Sequence, residues 1–403
     1  MLRYDARMRN IAIIGGGAGG LAAAIAAARG GAHVTVYEQK DAVGKSILVS
    51  GNGRCNLSNA RIDARVYRNA GFVSRSFAVL PPAGVHVFFE RLGLVMVDGG
   101  EGRLYPVTNK AQTVLRVLQL ALADLDADVA CHRMVKRAVP QGSRWALEFM
   151  DGSRRRFDAV ILAAGGLAPA QLLPDGLPYT RPVGRLCALK TDLESAEGLD
   201  KIRARCSVTL LDGRTGAPRA VERGEAQFRS FGLSGIAAFN VSRFAGEGDV
   251  LRVDLLPEVD LDQLRAALAR RAERHPWRAA VDLLAGLALE PVAKAVLRQA
   301  GCRADMPLPA SDAPHVADVL KGYRMTVRAL DDRHAQVHRG GFAVKSFDPQ
   351  SLEALRMPGL HAIGEALDVD GPCGGYNLHW AWTSGLLAGA HAACVPVRRV
   401  LVD

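Results

Sequence analysis

The chain of 403 residues is 49% hydrophobic and 23% charged, which is the composition of a globular protein with two or three domains. It has no apolar run of the roughly 20 residues that cross a bilayer, and residues 1–10 lack the apolar core of a signal peptide, so we expect a cytoplasmic protein without a membrane partner. The net charge of +10 comes from scattered basic residues without interleaved aromatic side chains, a pattern that does not predict a nucleic-acid partner.

The first predicted elements alternate strand, helix and strand. Residues 11–14 are four consecutive apolar residues, which is typical of a buried parallel strand. Residues 21–29 are rich in alanine and predict a helix, and residues 33–37 predict a second strand. This order predicts a βαβ unit at the start of an α/β domain.

A glycine motif lies between the first strand and the helix. Gly15 permits a tight turn, Gly17 lets the backbone approach a pyrophosphate, and Gly20 lets the helix pack against the strand. The helix N-terminus would offer N–H groups to the phosphates, and Glu38 would accept hydrogen bonds from a ribose hydroxyl. These residues predict a dinucleotide-binding site.

The next elements are predicted from turns and alternation. Residues 84–122 predict a helix, a hairpin around residues 99–102 and a second helix from Ala111. Residues 128–158 alternate apolar and polar side chains between turns, which predicts a small antiparallel sheet. Residues 157–166 then predict a buried strand that ends on two glycines.

The second half of the chain changes pattern twice. Residues 184–254 are again strand-like, residues 261–300 carry leucines at helical spacing, and strands resume after Tyr323. Residues 359–365 predict a short strand, which leads through another glycine-rich turn into an apolar helix at residues 376–393. A glycine-rich turn at each end of the chain suits a long cofactor with two ends to hold.

Three segments carry a resemblance to a known family. They are the loop at residues 44–59, the turn at residues 232–235 and the block at residues 364–378. In these segments, and in order over nearly the whole chain, the protein resembles the BaiN/YhiN-type family of FAD-dependent oxidoreductases. The resemblance implies an α/β fold: a Rossmann-like FAD-binding domain of the glutathione-reductase-like superfamily, with an inserted β-barrel-like domain and a small helical insert.

The resemblance and the patterns together predict the domain boundaries. The FAD-binding domain is expected to comprise residues 1–183 and 342–403, the inserted β domain residues 184–255 and 323–341, and the helical insert residues 256–322. In this arrangement the chain leaves the FAD-binding domain and returns to it. Its two ends are therefore expected to share one sheet.

The chain departs from the family pattern at several positions. Asn52 stands where the family usually has Gly, Ile236 where it has Pro, and Cys373 where it has Thr. Residues 335–338 are Ala-Gln-Val-His instead of Ala-Glu-Val-Thr. These differences indicate a divergent branch, so the substrates of better-known members are not carried over.

The motifs and the resemblance predict which residues contact a non-covalently bound FAD. In the superfamily, the backbone at the position of Val135 passes the adenine end, and the helix that begins at Tyr376 would point its positive dipole end at the flavin. The predicted contacts are Gly15, Gly17, Ala18, Gly20, Glu38, Gln39, Lys45, Gly53, Arg54, Val135, Ala164, Gly165, Gly364, Glu365, Gly375, Tyr376, Asn377 and Leu378.

The catalytic residues are left open as candidates. Hydride or electrons would pass through flavin N5 to or from a small molecule, and NAD(P)H is predicted only as a transient donor because no second GxGxxG occurs. Arg54, Arg103 and Lys110 would either bind a carboxylate-like substrate group or be surface charges beside a hairpin. Tyr376 would act as an acid or base or position the flavin ring, and a phenol pKa of about 10 favours positioning.

Cysteine and histidine spacing predicts no metal site. The seven cysteines form no C-x-x-C pair and no zinc spacing, so we expect free thiols. Cys55 and Cys373 lie in the motifs near the cofactor, but Cys55 is expected to fill space rather than to react, because it has no close partner. His379 is expected to be a packed helix residue.

Two other functions remain open at this stage. One is a FAD-dependent enzyme that modifies tRNA, in which the positive charge would help RNA to dock. The other is a FAD-binding protein without turnover. The sequence gives no basis for an oligomeric state.

Overall fold

The structure is a computed structural model that describes residues 8–402. Its strands are β1 Asn10–Ile14, β2 His33–Tyr37, β3 Ser58–Asn59, β4 Met96–Asp98, β5 Arg103–Pro106, β6 Asp128–Ala130, β7 Val135–Gln141, β8 Arg144–Phe149, β9 Arg154–Phe157, β10 Ala159–Leu162, β11 Tyr179–Arg185, β12 Leu189–Thr191, β13 Arg203–Leu211, β14 Pro218–Arg229, β15 Gly232–Ser234, β16 Val250–Asp254, β17 Tyr323–Leu330, β18 Val337–Phe342 and β19 Leu360–Ala362. Its helices are α1 Ala18–Arg29, α2 Lys45–Val49, α3 Ala70–Val79, α4 Pro82–Arg91, α5 Ala111–Asp124, α6 Leu193–Ala196, α7 Ile236–Ser242, α8 Leu261–Arg274, α9 Ala280–Leu283, α10 Glu290–Gln299, α11 Ala313–Leu320, α12 Tyr376–Ala392 and α13 Val397–Val402.

The chain divides into two compact units. The first comprises Met1–Val183 and Val337–Asp403, and the second comprises Gly184–Gln336. The second unit therefore ends at Gln336, whereas the sequence placed residues 337–341 with the inserted domain. The strand β18 begins at this point and pairs with β11.

A parallel five-stranded sheet in the order β19-β10-β1-β2-β6 is the centre of the first unit. The strand β1 lies between β10 and β2, and the side chains of Ile11 and Ile13 are fully buried there. As predicted, the first and last strands of the unit's sequence share one sheet. Parallel strands covered by helices on both faces have this continuous apolar character.

The helices α1 and α12 pack closely because small residues face each other. A β-carbon on Gly385 would lie 2.4 Å from the carbonyl oxygen of Gly19, and one on Gly389 would lie 2.3 Å from that of Ala23. Both distances are shorter than any van der Waals contact, so only glycine fits at these two positions. The packing fixes α12 against the helix that follows the glycine motif.

One predicted strand joins a different sheet. The sequence placed residues 128–158 in a single antiparallel sheet, but β6 pairs in parallel with β2, with Val36 opposite Val129. The antiparallel sheet contains β7, β8 and β9 alone. The error arose because residues 128–130 have the same alternation as an edge strand of either sheet, and alternation does not identify the partner strand.

The second unit is a closed barrel in the order β12-β15-β14-β13-β16-β17. Each inward-facing residue of β13 lies between two neighbours; Val208, for example, pairs with Glu222 on one side and Val253 on the other. The helices α8 to α11 bury Leu268 and Val316 in the same apolar cluster as Val208. The helical segment therefore shares one core with the barrel.

The predicted fold class is confirmed: the chain is α/β, with a Rossmann-like domain, a barrel in the middle of the sequence and helices beside it. The five-segment division of the domains stays a prediction. Within residues 8–402, no single helix is long and apolar enough to cross a membrane, although α3 and α4 together, bent by 51°, have the length and composition.

Candidate functional site

The turn between β1 and α1, which we call the glycine turn (residues 15–20), contains two positions where a side chain would collide with neighbouring backbone. Gly15 has a φ of +109° and its N–H donates to the carbonyl of Tyr37 at 2.8 Å. A β-carbon on Gly20 would lie 2.0 Å from the carbonyl oxygen of Gly15, and one on Gly15 would lie 2.5 Å from that of Ala163. Two glycines are therefore required here by contact with neighbouring backbone.

Gly17 is different because the space around it is open. The nearest atom to a β-carbon at Gly17 would be the hydroxyl oxygen of Ser46, at 3.3 Å. Gly17 is the N-cap of α1, and this helix has no side-chain cap and no acidic residue in its first turn. An uncapped N-terminus presents N–H groups and the positive end of the helix dipole, which fits a phosphate. The glycine turn thus has the shape and charge that a pyrophosphate requires.

Glu38 is held at the end of β2 by backbone alone. Its Oε2 accepts from the N–H of Gly16 and its Oε1 from that of Lys40, both at 2.9 Å. The side chain is 9% exposed. Each carboxylate oxygen has two lone pairs, so each keeps one for a ribose hydroxyl. Gln39, the next residue, is exposed.

The loop that follows Glu38 contains a run of left-handed residues. Asn52 has a φ of +56° between Gly51 at +55° and Gly53 at +78°. This explains why Gly is usual at position 52, and Asn is among the residues that tolerate the conformation. Asn in place of Gly at position 52 therefore preserves the backbone conformation of the loop. In the same loop, Lys45 at the start of α2 forms an ion pair with Asp41.

Arg54 and Arg103 both lie beside strand β5. The guanidinium of Arg54 lies over the ring of Tyr105, 4.9 Å from its centroid, and its Nε donates to the carbonyl of Gly51 at 3.3 Å. Arg103 forms an ion pair with Glu101. Lys110 is exposed at the N-cap of α5. Arg103 is thus the first residue of β5, and Arg54 packs on Tyr105 of the same strand.

The predicted adenine-side contact lies on β7 of the antiparallel sheet, and the predicted central contacts follow β10, which is next to β1. Val135 begins β7, pairs with Phe149 and is 5% exposed. Ala164 and Gly165 follow β10, where Ala164 is exposed and Gly165 has a φ of +75°. No heavy atom lies within 4 Å of a β-carbon at Gly165. The end of β10 therefore presents open backbone beside the glycine turn.

The C-terminal turn, residues 364–375, is fixed by α12. The N–H of Gly364 donates to the hydroxyl of Ser384 at 3.0 Å, and Trp380 Nε1 donates to the carbonyl of Gly364 at 3.2 Å. Glu365 accepts from the N–H of His338 at 3.2 Å. The strand before this turn, β19, comprises residues 360–362 and is shorter than the predicted 359–365. Residues 364 and 365 of the predicted strand already belong to the turn.

The N-cap of α12 is Gly375, which has a φ of +97° and provides no side-chain cap. The side chain of Asn377 accepts from the N–H of Gly371 at 2.8 Å and donates to its carbonyl at 2.9 Å, so it braces the turn. Leu378 packs against the core of the unit. A second uncapped N-terminus without an acidic first turn therefore lies at the other end of the site.

Tyr376 is held by hydrogen bonds at its backbone carbonyl and at its side-chain hydroxyl. Its carbonyl accepts from the hydroxyl of Tyr67 at 2.8 Å, and its own hydroxyl donates to the carbonyl of Arg61 at 3.3 Å. Burial raises the pKa of the Tyr376 phenol above its ordinary value, and the charge of Arg61 opposes that shift. The phenol is therefore protonated at neutral pH and can donate.

Arg103 is connected to the start of α12 through Asn59. These two residues are opposite each other in the pairing of β3 with β5. The side chain of Asn59 donates to the carbonyl of Gly374 at 2.9 Å. The segment around Arg103 therefore lies beside the double glycine, Gly374 and Gly375, rather than at a separate surface. This supports Arg103 over Lys110 as a substrate-binding candidate.

A buried polar chain was missed by the sequence analysis. The hydroxyl of Ser58 lies 2.8 Å from His379 Nδ1 and 2.9 Å from His86 Nε2. Burial, with a smaller effect of His86, lowers the pKa of His379 to about 3, so its ring is neutral. The three residues come from β3, α4 and α12, and no sequence spacing could have joined them.

Cys55 has none of the features of a reactive thiol. Its side chain is fully buried, and burial raises its pKa to about 12. A thiolate is the reactive form, so a pKa this high suppresses nucleophilic chemistry. Its φ of +56° is also left-handed, but it is separated from the run at residues 51–53 by Arg54, which has a φ of −100°. The structure supports the space-filling role.

The chain resembles known proteins over nearly its whole length. A model of the HI0933-like protein Rossmann domain matches residues 9–391. The 3-dehydro-bile acid delta(4,6)-reductase of Clostridium scindens is 34% identical, over 96% of this chain and 99% of that protein. The ribosomal RNA dihydrouridine synthase of Escherichia coli is 26% identical, over 95% of this chain and 96% of that protein.

Solved structures resemble the chain more distantly. The 3-ketosteroid-delta4-(5alpha)-dehydrogenase of Rhodococcus jostii RHA1 is 14% identical with a TM-score of 0.46, over 97% of this chain and 98% of that chain. A flavocytochrome c3 fumarate reductase is 15% identical with a TM-score of 0.45, over 99% of this chain and 79% of that chain. These similarities carry no argument about the reaction.

Proposed function

The chain belongs to the HI0933-like Rossmann-domain family, and from that premise we propose that it is a FAD-dependent reductase of a small molecule in which a carbon–carbon double bond is conjugated to a carbonyl group. The observation that carries this proposal is the pair of uncapped helix N-termini, α1 at Gly17 and α12 at Gly375. They suit the two ends of one elongated cofactor that is negatively charged.

The substrate class rests on what two relatives have in common. A 3-dehydro-bile acid delta(4,6)-reductase and a ribosomal RNA dihydrouridine synthase act on unrelated molecules. By their names, however, both reactions saturate a double bond that is conjugated to a carbonyl. This shared chemistry needs two electrons, a proton donor and a hydrogen-bond donor for the carbonyl oxygen. We assign the same requirements to this chain.

FAD, when bound, supplies the two-electron chemistry that protein side chains lack. We propose that the predicted set from Gly15 to Leu378 holds it, with the glycine turn on the pyrophosphate and Glu38 on the ribose. The donor of electrons is proposed to be NAD(P)H that docks transiently. Cys55, Cys131, Cys187, Cys206 and Cys302 are free thiols, which suits the cytoplasm, the compartment we propose for this protein.

Tyr376 is our candidate for the proton donor. Its hydroxyl carries a proton at neutral pH, as any phenol with a pKa of about 10 does, and burial raises that pKa further. It is also the first residue of α12, beside the double glycine. General acid catalysis from such a position typically contributes about 10² to 10⁴ in rate. In the structure this hydroxyl donates a hydrogen bond to the carbonyl of Arg61. A substrate atom would have to replace that oxygen in order to receive the proton.

Arg54 and Arg103 are our candidates for holding a polar group of the substrate. Both lie beside β5, and β3 connects that strand to the double glycine through Asn59. A guanidinium offers a planar fork of donors, which suits a carbonyl or carboxylate oxygen. The ion pair of Arg103 with Glu101 holds the side chain in place without removing all of its donors.

A second candidate function is the reduction of uridine in RNA. It is favoured by the dihydrouridine synthases of Escherichia coli and Haemophilus influenzae, which are 26% and 24% identical, and by the net charge of +10. Several basic side chains of the barrel are paired, however, including Arg203 with Glu225 and Arg219 with Asp249. Paired charges contribute less to phosphate binding, so we rank this function second.

The deciding experiment follows the flavin absorbance of anaerobically reduced protein after a substrate is added. A 3-keto-Δ4 steroid and a simple cyclic enone should restore the oxidised spectrum with a saturable rate, and the corresponding saturated ketone, the matched control, should not. Restoration by a ribosomal RNA fragment and not by the enones would establish the second candidate. If none of these compounds restored it, the proposed reaction would be wrong.

A further inference from the structure

A second cluster of polar side chains lies in the first unit, away from the glycine turn. Glu353, His361 and His391 each bring one ligand atom to within 4.8 Å of the other two. They border an open cavity of about 310 Å³, whose lining also includes Arg9 and Cys394. Nothing in the proposed reaction uses these residues.

A β-bridge and backbone hydrogen bonds fix the positions of the three residues. Glu353 and His361 lie directly opposite each other in an antiparallel bridge. The N–H of Gly359 donates to the carboxylate of Glu353 at 2.6 Å, which orients that side chain. His391 is in the last turn of α12, and the N–H of Cys394 donates to its carbonyl at 2.8 Å, which brings the chain back toward the cluster.

His361 is poorly satisfied by the protein alone. The ring is 1% exposed, and its Nδ1 has no hydrogen-bond partner among the described residues. Its Nε2 faces only another imidazole nitrogen, His391 Nδ1, at 3.1 Å. At this distance only one of the two nitrogens can donate a hydrogen bond to the other. In tetrahedral zinc coordination two nitrogen ligands stand about 3.3 Å apart, so the observed separation needs little adjustment.

We propose that Glu353, His361 and His391 bind a divalent transition-metal ion of the zinc class. Two imidazoles and a carboxylate are a ligand set that zinc accepts, and the adjoining cavity leaves the fourth position to a water molecule. Cys394 borders the same cavity, where its sulfur lies 2.6 Å from Arg9 Nη1, and it is not one of the three ligands.

The ion would act on structure rather than on the reaction. His391 and Tyr376 are at opposite ends of α12, and 15 residue steps of an α-helix span about 22 Å. The metal would instead tie the end of α12 to the edge strand β19. The sequence could not predict the site because its ligands come from a loop, a strand and a helix end at unrelated spacings.

The test is titration of the metal-free holoprotein with Co²⁺, followed by displacement with Zn²⁺. The wild type should bind one equivalent, with the intense visible bands of a four-coordinate site. His391→Ala, a change at an exposed side chain, should weaken binding on the order of a hundredfold or more.

The control is His315→Ala, because His315 is an exposed helical histidine of the other unit. It should bind Co²⁺ as the wild type does. The temperature of unfolding should rise with Zn²⁺ in the wild type and in the control but not in His391→Ala. Equal affinity of wild type and His391→Ala, or a wild type that binds no Co²⁺, would overturn the proposal. FAD content should not change in any of these variants, so the result is independent of the proposed reaction.

Discussion

The β-carbon position of Gly375 lies 2.2 Å from the carbonyl oxygen of Ser58. The first residue before α12 is therefore pressed against β3, where any side chain would collide with the strand. The hydroxyl of the same Ser58 contacts His379 at 2.8 Å, one turn further along the helix. The N-terminus of α12 is thus held at a fixed position, which is what a helix aimed at a cofactor requires.

Gly17→Val is expected to abolish FAD binding and leave the fold intact. The branched side chain would fill the space proposed for the pyrophosphate, but a β-carbon there meets only Ser46, at 3.3 Å. The measurement is the ratio of flavin absorbance to protein absorbance, together with the unfolding temperature. Gly71→Val is the matched control, because no heavy atom lies within 4 Å of a β-carbon there. Normal flavin content in Gly17→Val would place the cofactor elsewhere.

Tyr376→Phe is expected to lower kcat by about 10² to 10⁴ without loss of FAD. The ring remains, so its edge contact with Tyr67 is kept and only the proton donor is removed. Tyr323→Phe is the control: it also removes one hydroxyl hydrogen bond, to the carbonyl of Ser195, but in the barrel unit. Steady-state rates with a cyclic enone check the prediction. An unchanged kcat would show that Tyr376 does not donate the proton.

Arg103→Ala is expected to raise KM by roughly ten- to a hundredfold, because loss of a charge-assisted hydrogen bond costs about 1.5–3 kcal/mol. The flavin content should stay normal. Lys110→Ala, which removes an exposed charge nearby, should leave KM unchanged. Flavin reduction or reoxidation is measured against substrate concentration. Identical curves for wild type and Arg103→Ala would show that the arginine does not contact the substrate.

His379 should contribute to the pH dependence of stability. Its pKa is about 3 in the folded protein and about 6.5 when unfolded, so the unfolded chain binds a proton that the folded chain excludes. The free energy of unfolding should therefore fall as the pH drops from about 6.5 toward 3, by on the order of 1 kcal/mol per pH unit from this residue. His379→Gln should reduce this slope in urea titrations, and His315→Gln should not. Equal slopes in all three proteins would contradict a neutral His379.

Local patterns in the sequence predicted the elements that hold the cofactor. The strands at residues 11–14 and 33–37 and the helix from Tyr376 were predicted within one residue of their observed bounds, because four apolar residues and flanking glycines determine them locally. The helix α1 begins three residues earlier than predicted, since glycines 19 and 20 are accommodated within it.

The contacts between distant segments were not predictable. The chain from His86 through Ser58 to His379 joins three elements separated by up to 321 residues. The ion pair of Arg103 with Glu101 depends on the exact shape of the hairpin. A single sequence records periodicity along the chain, whereas these contacts depend on which elements become neighbours.

The central claim is that two uncapped helix ends hold one FAD molecule. The most direct measurement is to release the flavin from the purified protein by heat and identify it by chromatography. The account predicts FAD, at about one equivalent per chain and without a covalent bond. Release of FMN, which lacks the adenosine and the pyrophosphate assigned to Glu38 and Gly17, or absence of any flavin after incubation with FAD, would contradict it.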